Sequence, residues 1–417
     1  MSRLGRSFGF LLSSTALSNL ADGVLKVGAP LLAVSYTRSP AQVALVGAAA
    51  TLPWLLFALP AGALADRLDR RRIMVVADVL RAGVLVAASA LAWLGLMNLW
   101  VMLAAVLLAS VAEVLADTSA QSVLPMAVAP EGLTRANGRL QSAQMIGNEF
   151  AGSPVAGVLV TLLPAAVFGG PALLYGVAGL LLLGMRGSYR QAGTRQPMAR
   201  DIARDIGEAL RWLWSQRFLR SLALAAGTLN FASAAYWGVF VLWLVGDESR
   251  FGLEPSAYGL MLTVFAAGAV AGSLVSERVT GVLGEGRTLI GMWLLNALLH
   301  LVPLFVPVTW LLYPTALLWG VSGAAANVLV ISTRQRLIPA ALLGRVNAAY
   351  RLIGMGGMPV GAALGGVVAE TAGLPVVFVG AVVVSVVAIG LLWRVVHDRI
   401  SAPLTSQPTI PDISRSR

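Results

Sequence analysis

The sequence predicts an all-α membrane protein: twelve transmembrane helices in two pseudo-symmetric six-helix bundles. Composition, the placement of basic residues and an internal repeat predict it. With 58% hydrophobic and 12% charged residues and a mean hydropathy of +0.80, a chain of 417 residues has too little polar surface to be covered by water alone. A span needs about 20 apolar residues, and such runs recur almost end to end. They fall near 8–36, 41–64, 73–95, 98–122, 137–163, 166–185, 218–246, 256–277, 287–306, 309–333, 344–369 and 374–394. There is no cysteine, and His300 and His397 are the only histidines, so neither a disulfide frame nor a zinc or iron cluster is expected.

The first apolar run follows Arg3 and Arg6, as a signal peptide would. Asn19, Asp22 and Lys26 interrupt it, however, so it reads as a retained first span. Placing the N-terminus inside leaves only Arg38 and Arg250 among the basic residues outside, with Lys26, Arg81 and Arg351 within spans. That positive-inside asymmetry predicts both termini in the cytoplasm, and it accounts for the net charge of +11 without nucleic acid. The turns near 96–97, 164–165 and 307–308 carry no charge, as short external turns should.

The domain organisation is read as a first bundle over 1–185, a linker over 186–217, a second bundle over 218–396 and a disordered cytoplasmic tail over 397–417. In the linker, Ile202, Ile206, Leu210 and Leu213 recur at helical spacing, which predicts an amphipathic helix on the cytoplasmic membrane surface. Pro403, Pro408 and Pro411 among serines and threonines mark the tail.

The chain repeats itself at just over half its length. Leu133-Thr-Arg135-Ala-Asn137-Gly138 returns as Leu343-Gly-Arg345-Val-Asn347-Ala348, and Asn19-Leu-Ala returns as Asn230-Phe-Ala. Pro40-Ala-Gln-Val-Ala-Leu-Val has its counterpart in Pro255-Ser-Ala-Tyr-Gly-Leu-Met, and Gly62-Ala-Leu in Gly272-Ser-Leu. An even number of spans separates the copies, so the halves share one orientation in the membrane, with a solute site expected between them at mid-depth.

Between the second and third runs lies Gly62-Ala-Leu-Ala-Asp66-Arg67-Leu-Asp69-Arg70-Arg71-Arg72. Gly62, Asp66, Arg67, Arg70 and Arg71 match the spacing of a loop signature, while Asp69 stands where glycine is usual. The chain thereby resembles the major facilitator superfamily of secondary transporters. Ala77-Asp78-Val-Leu-Arg81-Ala82 and Ala136-Asn137-Gly138-Arg139-Leu140-Gln141 narrow the likeness to the branch of macrolide-efflux and enterobactin-exporter-like proteins. The resemblance implies a monomeric, multi-pass protein of the bacterial inner membrane. It implies export of a bulky amphipathic compound against proton entry, with no cofactor beyond the proton gradient. It also implies a gate that closes the cytoplasmic side in the outward-facing state: Asp117 would hold Arg70, with Glu113 on the same face, and Asp66 would meet the turn near Gly344.

An ionisable side chain at the bilayer centre costs about 2.5–3.5 kcal/mol on insertion scales, so each needs a partner or water. Asp22 and Lys26 lie four residues apart, hence on one helical face, and are expected to face each other and a wet cavity. The residues leave open a proton-coupling role or a salt bridge that only fixes packing. Glu149 has no basic residue three or four positions away, which makes it the first choice for the proton-carrying group; a structural carboxyl is the alternative. Asp78 and Arg81, three apart, are expected to pair as a supporting bridge. Asn19, Asn230, Tyr236 and Trp237 are candidates to line the cavity, the last two either for solute or for lipid.

The fifth span keeps only part of a drug/proton antiporter pattern. Ser153-Pro154-Val-Ala-Gly157-Val158 retains its proline and one glycine, so direction is not fixed by it. An importer of a small metabolite or a lipid translocator would share the same fold. A membrane enzyme is not expected, because no nucleophile–base pair, metal cluster or phosphate-binding loop is present.

Overall fold

A computed structural model describes residues 5–129, 132–187, 189–190, 199–339 and 342–401. The first half contains α1 (Arg6–Tyr36), α2 (Pro40–Arg67), α3 (Arg70–Trp93) and α4 (Leu99–Ala127). It continues through α5 (Leu133–Met145), a π-helical turn (Ile146–Ala151) and α6 (Gly152–Leu162), and ends with α7 (Ala166–Leu183). A linker helix α8 (Ala199–Ser215) leads to α9 (Arg217–Leu244), α10 (Pro255–Leu283), α11 (Glu285–Leu299) and the short α12 (Val302–Phe305). The second half closes with α13 (Leu312–Leu337), α14 (Leu343–Ala372) and α15 (Leu374–Ser401). Twelve segments are long and apolar enough to cross a membrane, each of them overlapping one of the expected spans.

Local chemistry sets the helix boundaries. Ser39 caps α2 by accepting from Gln42 N, with Pro40 in the first turn, and the Asn98 side chain caps α4 through Trp100 N and Val101 N. Asp69, the departure from the loop signature, caps α3 through Arg72 N at 3.2 Å and also accepts from Tyr189 N at 3.1 Å. A glycine at that position would leave both donors without this acceptor.

In the linker helix, Ala209 and Leu213 are buried in one cluster with Leu219, Leu222, Leu329, Val346 and Tyr350, so this part of α8 packs on the second bundle, while the side chains of Ile202 and Ile206 lie outside those described. The expectation of a disordered tail falls on residues 402–417, outside those described, while 397–401 continue α15.

Glycine lets the packing helices approach. A Cβ on Gly23 would come within 2.5 Å of Asn148 O, and one on Gly147 within 2.8 Å of Leu20 N, so α1 lies directly against the π-helical turn. Gly361 and Gly365 on α14 bring it equally close to Phe231 and Ala235 on α9.

Two ends of the bundle are distinguishable. One carries the start of α1, the end of α15 and the 62–72 loop; the other carries the turns after α1 and α9. At this second end the halves are clasped together. Ser39 Oγ donates to Glu370 Oε2 at 2.6 Å, Ala41 N to the same oxygen at 3.3 Å, and Arg38 Nε lies 3.6 Å from Glu248 Oε2. Gly366 against Ala41 and Gly157 against Pro255 tighten the same seam.

Candidate transport site

Arg81 on α3 anchors the charged interior of the first half. It is 1% exposed, so its guanidinium needs buried counter-charges. Asp22 on α1 supplies one, bonded to Arg81 Nη2. Tyr175 on α7 completes a triangle: Arg81 Nη2 donates to its hydroxyl at 2.6 Å, and that hydroxyl donates to Asp22 Oδ1 at 2.6 Å. The guanidinium carbon also lies 3.8 Å from the centre of the tyrosine ring. The expected Asp78–Arg81 bridge is present at 3.8 Å, and Ser18 Oγ donates to Asp78 at 3.4 Å.

The same centre gathers the acids of α4. Glu113 interacts electrostatically with Arg81 and Lys26, and Asp117 with Glu113, Arg81 and Asp78. Asp117, one turn beyond Glu113, lies within electrostatic reach of Glu113 and Arg81. Arg70 is buried elsewhere, its Nη1 donating to Met126 Sδ at 3.0 Å. Arg71 caps the end of α7, donating to Leu182 O at 2.8 Å and Leu183 O at 2.7 Å. Arg67 is exposed, and space around Gly62 is open. The Asp66 side chain and the turn near Gly344 lie outside the described side chains.

Asp22 and Lys26 do not pair with each other. The buried Arg81 takes Asp22, and Lys26, one helical turn along, reaches Glu149 Oε1 at 3.5 Å. Glu149 was expected to lack a cation because its partner comes from α1, across the glycine contact, and not from its own helix. Its side chain is 41% exposed and that of Lys26 is 66% exposed, so this pair is solvated where the Arg81 network is not. Glu149 stands in the π-helical turn, a distortion often found at functional positions. Asn19 does not line an open cavity. It is buried, accepting from Asn148 Nδ2 at 2.8 Å and donating to Thr15 O at 2.8 Å.

The second half holds a cavity of about 530 Å³. Asn230 and Trp237 line it as expected, with Asn230 Nδ2 bonded to Gly354 O at 2.7 Å. Tyr236 does not line it. It is buried behind the wall, packed on Phe240, His300 and Phe378 at ring separations of 4.4–4.7 Å. Trp319 packs edge-on to Trp237 at 5.3 Å and belongs to the wall itself.

Several residues of the candidate site were not singled out from the sequence: Tyr175, Asn148, His300, Trp319 and Arg334. Tyr175, a lone phenol in the sixth span, and the Asn296/His300 pair at helical spacing were available signals; the partners were not, since each is on another helix.

The family described as Transmembrane secretion effector matches residues 5–411. The chain is 26% identical over 398 residues to the multidrug efflux pump Tap of Mycobacterium tuberculosis, covering 92% of this chain and 91% of that protein. It is 25% identical over 421 residues to the enterobactin exporter EntS of Citrobacter koseri, covering 95% and 92%. Among solved structures, a bacterial homologue of the iron transporter ferroportin in its inward-facing state superposes with a TM-score of 0.72 at 17% identity, covering 96% of this chain and 100% of that one.

Proposed function

The chain belongs to the transmembrane secretion effector family of major facilitator transporters, and we propose that it is a proton-coupled exporter of a bulky amphipathic small molecule. It is a multi-pass transporter, not an enzyme. Export is supported by the likeness to the efflux pump Tap and the exporter EntS, which align over nearly their full lengths. A drug, antibiotic or siderophore is the substrate class this reading assigns.

The proton is supported by one observation, the charge balance of the first half. Among the described residues, Asp22, Asp78, Glu113, Asp117 and Glu149 face Arg81 and Lys26 as fixed cations. In a setting poor in water the remaining negative charge requires mobile positive charge, and protons supply it without a further cofactor. The Lys26–Glu149 pair is the solvated entrance to this system and Arg81 its fixed centre. Neutralising Glu149 would release Lys26 and weaken the join between α1 and the π-helical turn.

In this reading the protein is a monomer in the bacterial inner membrane with both termini in the cytoplasm, as the basic residues favour. The clasp of Ser39, Glu370, Arg38 and Glu248 then closes the external side, and the conformation is inward-facing. Alternating access follows from rocking the two bundles, provided proton and solute prefer different states.

The test is accumulation of a panel of dyes and antibiotics in an efflux-deficient bacterium expressing the chain, with and without a protonophore. Lower accumulation that disappears with the protonophore is the expected result. Gradient-insensitive lowering would refute proton coupling, and raised accumulation would refute export.

A further inference from the structure

The two halves differ in the charge they hold at mid-depth. Every carboxylate inside a span at that level belongs to the first half, at Asp22, Asp78, Glu113, Asp117 and Glu149. The cavity of the second half is lined by no Asp or Glu. Toward the end of the bundle that carries the 62–72 loop it has two guanidinium groups, Arg334 in the last turn of α13 and Arg351 near the start of α14, close enough to repel each other. Among the described residues neither has a carboxylate partner. Arg334 lies 4.1 Å over the Tyr350 ring, its Nε buried and without a hydrogen bond, and Arg351 is exposed to the cavity.

The remaining wall is aromatic and sparsely polar. Trp237, Phe265, Trp293 and Trp319 provide flat apolar surface, and Asn327 opens onto the space beside them. Beneath the surface, two polar atoms have no partner: His300 Nε2 and Trp319 Nε1. His300 is 7% exposed and Trp319 1% exposed. His300 Nδ1 donates to Asn296 O at 2.7 Å, which leaves Nε2 as an acceptor in the neutral ring. Unmatched buried polar atoms are costly, so this part of the wall is under-satisfied behind the surface that a ligand would meet.

We infer that this cavity is the solute site and that it takes an anionic amphiphile, with an aromatic group among the tryptophans and an acidic group at Arg334 and Arg351. The inference rests on the reading of the chain as an exporter and names the substrate class of its site. Proton and solute thereby bind in different halves, at carboxylates in one and at cations in the other. A cationic drug meets like charge in this cavity and finds its complement only in the first half.

The experiment uses the full chain in nanodiscs with no gradient, titrated with two fluorescent xanthenes of similar ring system and opposite charge, carboxyfluorescein and rhodamine 6G. Fluorescence polarisation reads binding. Carboxyfluorescein is expected to bind saturably and more tightly than rhodamine 6G. Arg351→Gln should weaken it by about tenfold, the loss of roughly one charge-assisted contact. Arg351→Lys should retain most of the affinity, and Arg278→Gln, at an exposed arginine outside the cavity lining, should leave binding unchanged. Arg334→Gln alone serves as a second variant. Tighter binding of rhodamine 6G, no binding of carboxyfluorescein, or a dye preference unmoved by both arginine variants would overturn the inference. A chain that binds the anionic dye as described but does not extrude solute from cells would retain this inference and refute the export reading.

Discussion

Lys26 of α1 lies 3.5 Å from Glu149 of the π-helical turn, and this contact depends on the side-chain-free surface of Gly23 that lets the two segments meet. The pair is well exposed, so solvent screening leaves it little weight in stability, under about 1 kcal/mol. Its weight is in coupling. Glu149→Gln is expected to keep solute exchange across reconstituted membranes while reducing gradient-driven transport by about tenfold or more, the scale of one lost proton-transfer group. Counterflow and pH-driven flux measured on the same vesicles separate the two effects. Equal losses in both would make Glu149 a structural residue.

Gly23→Ala should lower the thermal midpoint of the purified protein, because the new Cβ would sit 2.5 Å from Asn148 O, where backbone cannot yield easily. Overpacking of this kind costs about 1–3 kcal/mol. Gly62→Ala, with nothing within 4 Å, should leave the midpoint unchanged. Thermal unfolding in detergent compares the two variants directly.

Arg81→Met should be among the most damaging single substitutions in the chain. It strands Asp22 and Asp78 in the interior, a loss of about 3–5 kcal/mol when one partner of a buried pair is removed. Arg81→Lys should recover only part of this, since an ammonium lacks the fork that reaches Asp22 and Tyr175 together and the flat face over the tyrosine ring. Expression yield and monodispersity by size exclusion read the outcome. A fully stable methionine variant would mean the network is not the anchor of the first bundle.

The external clasp predicts a conformational lock. The chain has no cysteine, so Ser39→Cys with Glu370→Cys introduces the only two thiols. A short bifunctional, reducible crosslinker should join them, arrest transport and release it on reduction, because outward opening must part this contact. Undiminished transport while crosslinked would show that the clasp does not open during the cycle.

Much of the fold was legible because lipid imposes a simple rule: long apolar runs, with arginine in the segments read as cytoplasmic. Asp22, Lys26, Asp78, Arg81, Glu113, Asp117 and Glu149 could be singled out for the same reason, since charge within a span stands out. Their pairing was not legible. Asp22 and Lys26 share a helical face, yet each finds its partner on another helix, Arg81 on α3 and Glu149 after α5. Helical spacing reports neighbours within one helix, whereas the network is made by packing between helices, through contacts such as Gly23 on Asn148. The second-half cavity was half visible. Asn230 and Trp237 were read correctly as lining residues, while Tyr236 proved to be core and Arg334 looked like one more basic residue at a span end.

Proton-coupled export is tested most directly in proteoliposomes enclosing a pH indicator, with solute added under an imposed pH gradient. The account predicts solute accumulation against its own gradient, proton movement in the opposite direction, and loss of both with a protonophore. Solute flux of equal rate and extent with and without the pH gradient, with no proton movement, would contradict it.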